Sequence, residues 1–303
     1  MDGWTVGRML SWMEGYLADH DDLDPRVSSR WLVSDAVGLT FMELYTNLER
    51  PLDSGELDLL RANVRRRAEG EPLQYIVGKT GFRHIDVIVR EGVLIPRPET
   101  EVLVSEVLSR LPRDKHVSGD GEVEDPDILV ADICTGSGCV ACSLAYENPR
   151  ISAVATDVDS RCVQLARDNA EALGLASRVH VVECDLGEGV DPALVGRFDA
   201  VASNPPYVPT EVLRDLPSEV SNFEPELALD GGPDGLDVFR RIAPWAHAAL
   251  KPDGFLAVEL YEESLDQAAD IARQAGFAHV DVTSDLNGLP RVLVASKTEK
   301  ESS

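Results

Sequence analysis

The sequence predicts an α/β protein: a Rossmann-like, doubly wound sheet preceded by a small N-terminal helical bundle. Three observations carry this. Residues 1–72 place apolar side chains at helical spacing throughout. From residue 128 onward, short β-rich runs alternate with helix-length segments. A Gly-x-Gly turn stands where the first of those strands meets its helix.

Taken in order, Trp4, Met9, Trp12, Met13, Tyr16 and Leu17 recur on one helix face, followed by Trp31, Leu32, Ala36 and Val37, and then by Leu57, Leu60 and Val64. Pro25, Pro51 and Pro72 punctuate these helices, and Asp53 or Ser54 is placed as an N-cap. The tryptophans and methionines are assigned to the bundle core, with a binding face as the alternative. From Tyr75 to Ile95 the period becomes strand-like through Ile76-Val77, Ile85, Val87, Val89 and Val93–Ile95, with turns at Gly81 and Glu91-Gly92. This gives three regions: a helical domain over 1–74, a β-hairpin linker over 75–97 and a sheet domain over 98–303.

The sheet domain should open with a helix from Glu99 to Leu111 and a polar solvent loop from Pro112 to Asp127. Strands are expected at Ile128–Ile133, Ala153–Thr156, Val179–Val182, Phe198–Ala202 and Phe255–Leu260, with two more near His279–Thr283 and Arg291–Ala295. Helices are expected after Gly138 and over Ser160–Leu173, Val238–Leu250 and Gln267–Ala275. Such alternation predicts a parallel sheet.

Charge narrows the function. The 303 residues hold 28 basic against 54 acidic side chains, a net charge of −26. Phosphate backbones are bound by clustered cations, and the only dense basic runs are Arg61 with Arg65–Arg67, and Arg240-Arg241. Both read as solvated helix faces, so a bare nucleic acid is not the expected partner. Five cysteines, an acid-rich beginning and no apolar run of 18 residues predict a cytoplasmic protein without membrane contact. The oligomeric state leaves no mark in the sequence.

The first predicted strand runs into Asp132-Ile133-Cys134-Thr135-Gly136-Ser137-Gly138. Glycines at such a turn let a ligand approach the backbone. The next strand ends at Asp157, where a carboxylate can accept from a ribose diol. A nucleoside cofactor fits this spacing. NAD is left open by it, but the full G-x-G-x-x-G is absent because Cys139, Val140 and Ala141 follow Gly138. S-adenosylmethionine, which has no pyrophosphate, is the better match. Asp185, with Leu186 beside it, follows the third strand and is a candidate for the adenine amino group. Cys139 and Cys142 form a C-x-x-C, yet neither a redox unit nor further zinc ligands accompany them, so they read as buried core residues and no metal is expected.

The fourth strand ends in Asn204-Pro205-Pro206-Tyr207. Two prolines fix such a loop, so that the Asn204 side-chain carbonyl and the Pro205 backbone carbonyl can grip both hydrogens of a planar NH2 group while Tyr207 stacks on it. The four residues are the candidate catalytic and substrate-binding set. The chemistry they suit is methyl transfer to a planar nitrogen.

Several segments together resemble the HemK/PrmC family of peptide chain release factor N5-glutamine methyltransferases. They are Leu94-Ile95-Pro96-Arg97-Pro98-Glu99-Thr100-Glu101, the Asp132–Gly138 turn, Asn204–Tyr207, and Phe223-Glu224-Pro225-Glu226-Leu227-Ala228-Leu229-Asp230-Gly231-Gly232-Pro233-Asp234-Gly235-Leu236. The resemblance implies a class I methyltransferase sheet and, as substrate, the glutamine of the Gly-Gly-Gln motif in class 1 release factors. It implies that Cys134, Thr135, Gly136, Ser137, Gly138, Asp157 and Asn204 contact S-adenosylmethionine, that Asn204–Tyr207 hold the glutamine, that Arg97 and Glu99 border the site, and that the bundle helps dock the release factor. Cys134 replaces the family's first turn glycine and should narrow the pocket. Glu259 is followed by Leu260-Tyr261-Glu262-Glu263, without the glycine relatives usually show, and is left out of the site on that ground. A glutamine methyltransferase of a large-subunit ribosomal protein is the nearest alternative. A nucleic-acid amino-methyltransferase shares only the tetrapeptide, and a silent binding module would not need it.

Overall fold

A computed structural model describes residues 3–112, 127–285 and 288–298. Its contacts divide the chain into two compact units, Met1–Lys79 with Pro217–Phe223, and Thr80–Leu216 with Glu224–Ser303.

The first unit holds helices α1 (Val6–Ala18), α2 (Pro25–Val37), α3 (Phe41–Thr46), α4 (Ser54–Ala68) and α5 (Leu73–Val77). Each of the first four starts on a side-chain cap: Thr5, Asp24, Thr40 and Asp53, the last two completing capping boxes with Glu43 and Glu56. Asp53, rather than Ser54, is therefore the cap. Ile76-Val77, read as the beginning of a strand, instead belongs to α5. Pro72 starts that turn, Gly78 ends it at φ +78°, and Ile76 faces the bundle core.

Val6, Met9, Met13, Leu17, Leu32, Leu60 and Val64 fill that core. The tryptophans do not. Trp4 and Trp12 are 36% and 41% exposed and continue into a surface ladder of rings through Tyr16 to His20. Arg67 departs from the solvated face expected of its basic run. Its guanidinium is buried, bonded to Asp22 at 2.5 Å, Glu219 at 2.8 Å and the Glu71 carbonyl at 2.9 Å. A charge buried this deeply persists only when paired on several sides.

In the second unit the hairpin is shorter than expected, β1 (Lys79–Phe82) and β2 (Ile85–Ile88), and Val93–Ile95 forms no strand. Helix α6 (Thr100–Arg110) comes next; most of the expected polar loop at 112–127 lies outside the described residues. Then come β3 (Ile128–Ile133), α7 (Cys139–Glu147), β4 (Ile151–Asp157), α8 (Ser160–Ala172), β5 (Val179–Glu183) and β6 (Phe198–Ser203). After α9 (Ser218–Phe223), which belongs to the first unit, the chain continues through α10 (Asp237–Ala249), β7 (Leu250–Glu259), α11 (Leu265–Gln274), β8 (His279–Ser284) and β9 (Pro290–Ser296).

Seven strands form one sheet in the order β5-β4-β3-β6-β7-β9-β8. The first five are parallel, but β9 runs antiparallel between β7 and β8, so the sheet is mixed rather than wholly parallel. The link from Ser284 to Pro290 is too short for the crossover that a parallel pair requires. Both faces are covered. One apolar cluster joins α6 and α7 to the sheet, and another joins α10 and α11 to its opposite face. Strand order reverses at β3, between β4 and β6, which opens a crevice at their carboxyl ends.

Candidate active site

Register places the candidate residues side by side. Ile133 pairs with Thr156 on one side and Ser203 on the other, so the next residues along, Cys134, Asp157 and Asn204, stand at one level at the carboxyl edge of the sheet. The turn after β3 is braced from beneath by Asp132. Its carboxylate accepts from the Thr135 hydroxyl at 2.5 Å and from the Ala141 amide at 3.1 Å, and burial pushes its pKa up to about 7. Thr135 therefore turns inward as a brace. Gly136, at φ +55°, donates its amide to Asp157 at 2.9 Å, and a Cβ built on it meets no protein atom. Gly138 stands at φ +79° as the N-cap of α7, where a Cβ would press on Ala166 at 3.0 Å. Its place is in helix packing. Cys134 occupies the left-handed region at φ +61°, and burial raises its thiol.

A cavity of about 200 Å³ opens beside this turn. Leu94, Val158, Leu186 and Val238 give it apolar walls, and Cys134, Gly136, Asp157, Asp185, Asn204 and Pro206 also line it. Pro225, Leu227 and Asp230 of the Phe223–Leu236 segment add to the lining. Arg241 is the one cation among the described lining residues, and it donates to Asp185 at 2.7 Å. Arg240 likewise pairs with Asp234 and Asp237. A smaller cavity of about 40 Å³ shares Cys134, Gly136 and Asn204 and adds Arg97, Thr100, Thr135 and Ser137. Cys139 and Cys142 sit in the core cluster, their thiols pushed up to about 12 by burial.

The Asn204–Tyr207 loop is tied at both ends. The Ser203 hydroxyl before it donates to the Ile133 carbonyl at 2.7 Å. Asn204 donates through Nδ2 to the Thr100 hydroxyl at 3.0 Å, and the Tyr207 hydroxyl donates to Glu259 at 2.9 Å. Burial, with Glu259 beside it, raises the Tyr207 pKa, and its side chain lines neither cavity. Arg97 pairs with the buried carboxylate of Glu224, joining two of the motif segments. Glu99 stands at the N-cap position of α6 without a side-chain capping bond and lines neither cavity.

Two residues of this arrangement lie outside the sequence-derived set. Thr100 sits inside the motif around Arg97, where the charged neighbours give the stronger signal. Glu259 is followed by Leu260-Tyr261-Glu262-Glu263 rather than the expected glycine; its position at the carboxyl end of a buried strand beside β6 is the signal that could have found it. The glycines of the Phe223–Leu236 segment also find a purpose. A Cβ on Gly231 would meet the Tyr207 Cα at 2.7 Å, and one on Gly235 would meet the Tyr207 carbonyl oxygen at 2.3 Å.

Comparison with known proteins bears on the family and the fold. A model of the PrmC N-terminal domain matches residues 8–78, and one of the methyltransferase small domain matches residues 123–215. The release factor glutamine methyltransferase of Geobacter sulfurreducens is 41% identical over 290 residues, 96% of each chain. The protein of that name from Chlorobaculum tepidum is 38% identical over 293 residues, again 96% of each. Among solved structures, a methyltransferase from Pyrococcus furiosus shares the fold with a TM-score of 0.50 at 18% identity, covering 81% of this chain and 99% of that one.

Proposed function

The chain belongs to the release factor glutamine methyltransferase family, and on that premise we propose that it methylates the N5 side-chain nitrogen of the glutamine in the Gly-Gly-Gln motif of class 1 release factors. The observation that carries the reading is the tethered Asn204–Tyr207 loop at the carboxyl end of β6, with Asn204 and Pro206 on the cavity wall. The second unit of the chain is the catalytic domain in this reading. The region 1–74 docks the release factor, and 75–97 links the two. A substrate of the translation machinery places the work in the cytoplasm.

The residues present suit S-adenosylmethionine. Gly136 leaves open space where any other side chain would project, two carboxylates stand ready for hydroxyl and amino groups, and the apolar walls suit an adenosine. The lining's one cation is already paired with Asp185, as a ligand without phosphate allows. Asp157 would hold the ribose and Asp185 with Leu186 the adenine, while Cys134–Ser137 would border the amino acid end and Gly138 would serve the turn through helix packing. S-adenosylmethionine bound there supplies an electrophilic methyl group. The chain's own task is to present the nucleophile. An amide nitrogen is a weak one, so orientation and stabilisation of developing positive charge are what the protein contributes. Asn204 Oδ1 and the Pro205 carbonyl accept the two amide hydrogens and aim the nitrogen. The new N–C bond forms as the donor's S–CH3 bond breaks, and the nitrogen then sheds one hydrogen as a proton to solvent.

The test is methyl transfer from labelled S-adenosylmethionine to each release factor, beside Gly-Gly-Gln→Gly-Gly-Ala factors, the large-subunit ribosomal proteins and bare DNA. Label on the wild-type factors alone is the expected result, with Asn204→Ala slower by roughly 10²–10³. Label on ribosomal protein or DNA instead would refute the proposed substrate.

A further inference from the structure

S-adenosylmethionine brings a charge that the larger cavity does not answer. Its amino acid end carries an α-carboxylate, and taking an anion out of water is costly unless a cation or several donors meet it. Arg241, the one cation among the described residues of that cavity, is placed elsewhere. It donates to Asp185, the candidate for the adenine amino group, and stands 3.8 Å from Glu188. The carboxylate needs a different partner, at the other end of the ligand.

The smaller cavity of about 40 Å³ offers one. Arg97 is the one cation among its described lining residues, and it stands there with Thr135, Gly136 and Ser137 of the turn that borders the amino acid end. Cys139 and Val140, the first residues of α7, line it as well, and the N-terminal end of a helix favours negative charge. Asp132 is its one described carboxylate, and that group is engaged by the Thr135 hydroxyl and the Ala141 amide. The two cavities share Leu94, Cys134, Gly136 and Asn204, so one ligand can extend from the first into the second. Arg97 is held there without being used up. It donates through Nη2 to Oε1 of Glu224, whose side chain is buried. A guanidinium has five N–H donors in a planar fork, so this bond leaves others for a second carboxylate. With 33% of its side chain exposed, Arg97 is not enclosed by its partner.

We propose that Arg97 receives the α-carboxylate of S-adenosylmethionine. The larger cavity then takes the adenosine and the smaller one the amino acid end, each through its own residues. Glu224, which holds the Arg97 guanidinium, precedes Pro225 and Leu227 on the wall of the larger cavity, so one segment serves both ends of the ligand. The inference rests on the reading that these cavities hold S-adenosylmethionine, and it deepens that reading. Arg97, expected from the sequence only to border the site, becomes the residue that selects for an intact amino acid end.

Equilibrium binding to the full-length chain tests this without any methyl acceptor. Titration calorimetry compares three ligands: S-adenosylmethionine, its decarboxylated analogue, which lacks only the carboxylate, and 5′-methylthioadenosine, which lacks the whole amino acid end. The wild type should bind S-adenosylmethionine roughly 10–100-fold more tightly than the decarboxylated analogue, as one hydrogen bond between charged groups typically gives. In Arg97→Met that preference should shrink to within about threefold, while the Kd for 5′-methylthioadenosine stays within about threefold of wild type. Arg97→Met leaves the Glu224 carboxylate buried without this cation, so Arg97→Met with Glu224→Gln, checked for folding by Tm, repeats the measurement without that charge and should give the same result. A preference as large in the folded variants as in the wild type would overturn the proposal. So would an equal loss for all three ligands, which would make Arg97 a support of the pocket. A wild type that binds S-adenosylmethionine and its decarboxylated analogue alike would overturn the role of Arg97 and leave the cofactor standing. A wild type that binds no S-adenosylmethionine would instead defeat the cofactor reading itself.

Discussion

Asp132 shows at the scale of one residue how the turn that faces the cavity is held. It lies fully buried under the glycine turn with two donors, the Thr135 hydroxyl and the Ala141 amide, and without a cation among its named partners. Desolvation outweighs those two bonds and carries its pKa from the ordinary carboxylate range to about 7. Folded protein therefore binds this proton more tightly than unfolded chain does. The stability it contributes is complete below about pH 4 and is lost as the pH rises through about 7. Asp132→Asn keeps an acceptor and removes the titration. The stability of the wild type relative to Asp132→Asn should thus fall by about 3–4 kcal/mol between pH 4 and pH 7. Urea unfolding across that range measures it, and a difference that stays flat with pH would contradict the assignment. Cys134, two residues on, adds a second local cost. It holds φ +61°, a conformation that costs a non-glycine residue of the order of 1 kcal/mol. Gly136 and Gly138 adopt the same region without that cost.

At the scale of elements, the reacting loop is shaped by glycines that line neither cavity. The glycines of 231–235 let that segment lie against the backbone of Tyr207, and Val208 exchanges backbone bonds with Leu229 and Gly231 at 2.9 Å each. Gly235→Ala would set a Cβ 2.3 Å from the Tyr207 carbonyl oxygen, at φ +75°, so the loop must yield. Turnover should fall at least tenfold while direct binding of S-adenosylmethionine changes less, because the displaced residue lines neither cavity. Wild-type kcat in that variant would mean that the loop adapts. This layer also marks where sequence reading stops. The Cys134–Gly138 turn, Asp157 and Asn204–Tyr207 were legible because each is a contiguous signal at a strand end. Thr100 and Glu259 were not, since what sets them apart is their bonds to Asn204 and Tyr207 from α6 and β7, a juxtaposition that no local pattern encodes. Ile76-Val77 misled for another reason: an apolar pair has no period, and only Pro72 and Gly78 at its flanks decide for a helix turn. Helical spacing likewise located Trp4 and Trp12 on a face but did not say whether that face is covered.

Across the whole molecule the dominant quantity is the net charge of −26. Most cations of the dense basic runs are already paired. Arg67 is committed to Asp22 and Glu219 in the first unit, while Arg240 and Arg241 are committed to Asp234, Asp237 and Asp185 in the second. What remains is an excess of carboxylates that repel one another, and such self-repulsion opposes the compact state. Mobile ions screen it over a Debye length that shrinks from about 30 Å at 0.01 M to about 10 Å at 0.1 M. The surface ion pairs are weakened by the same screening, but exposed pairs contribute little, of the order of 0–1 kcal/mol each. The buried Arg67 cluster is shielded from it. Repulsion over many charges should therefore win, and raising salt from 0.01 to 0.2 M should stabilise the protein by ~1–2 kcal/mol, a Tm increase of several degrees. Choline chloride should act as sodium chloride does, because screening depends on charge and not on a specific ion site. A Tm that falls with salt would mean that the ion pairs outweigh the repulsion, and a rise with sodium alone would point to a bound cation.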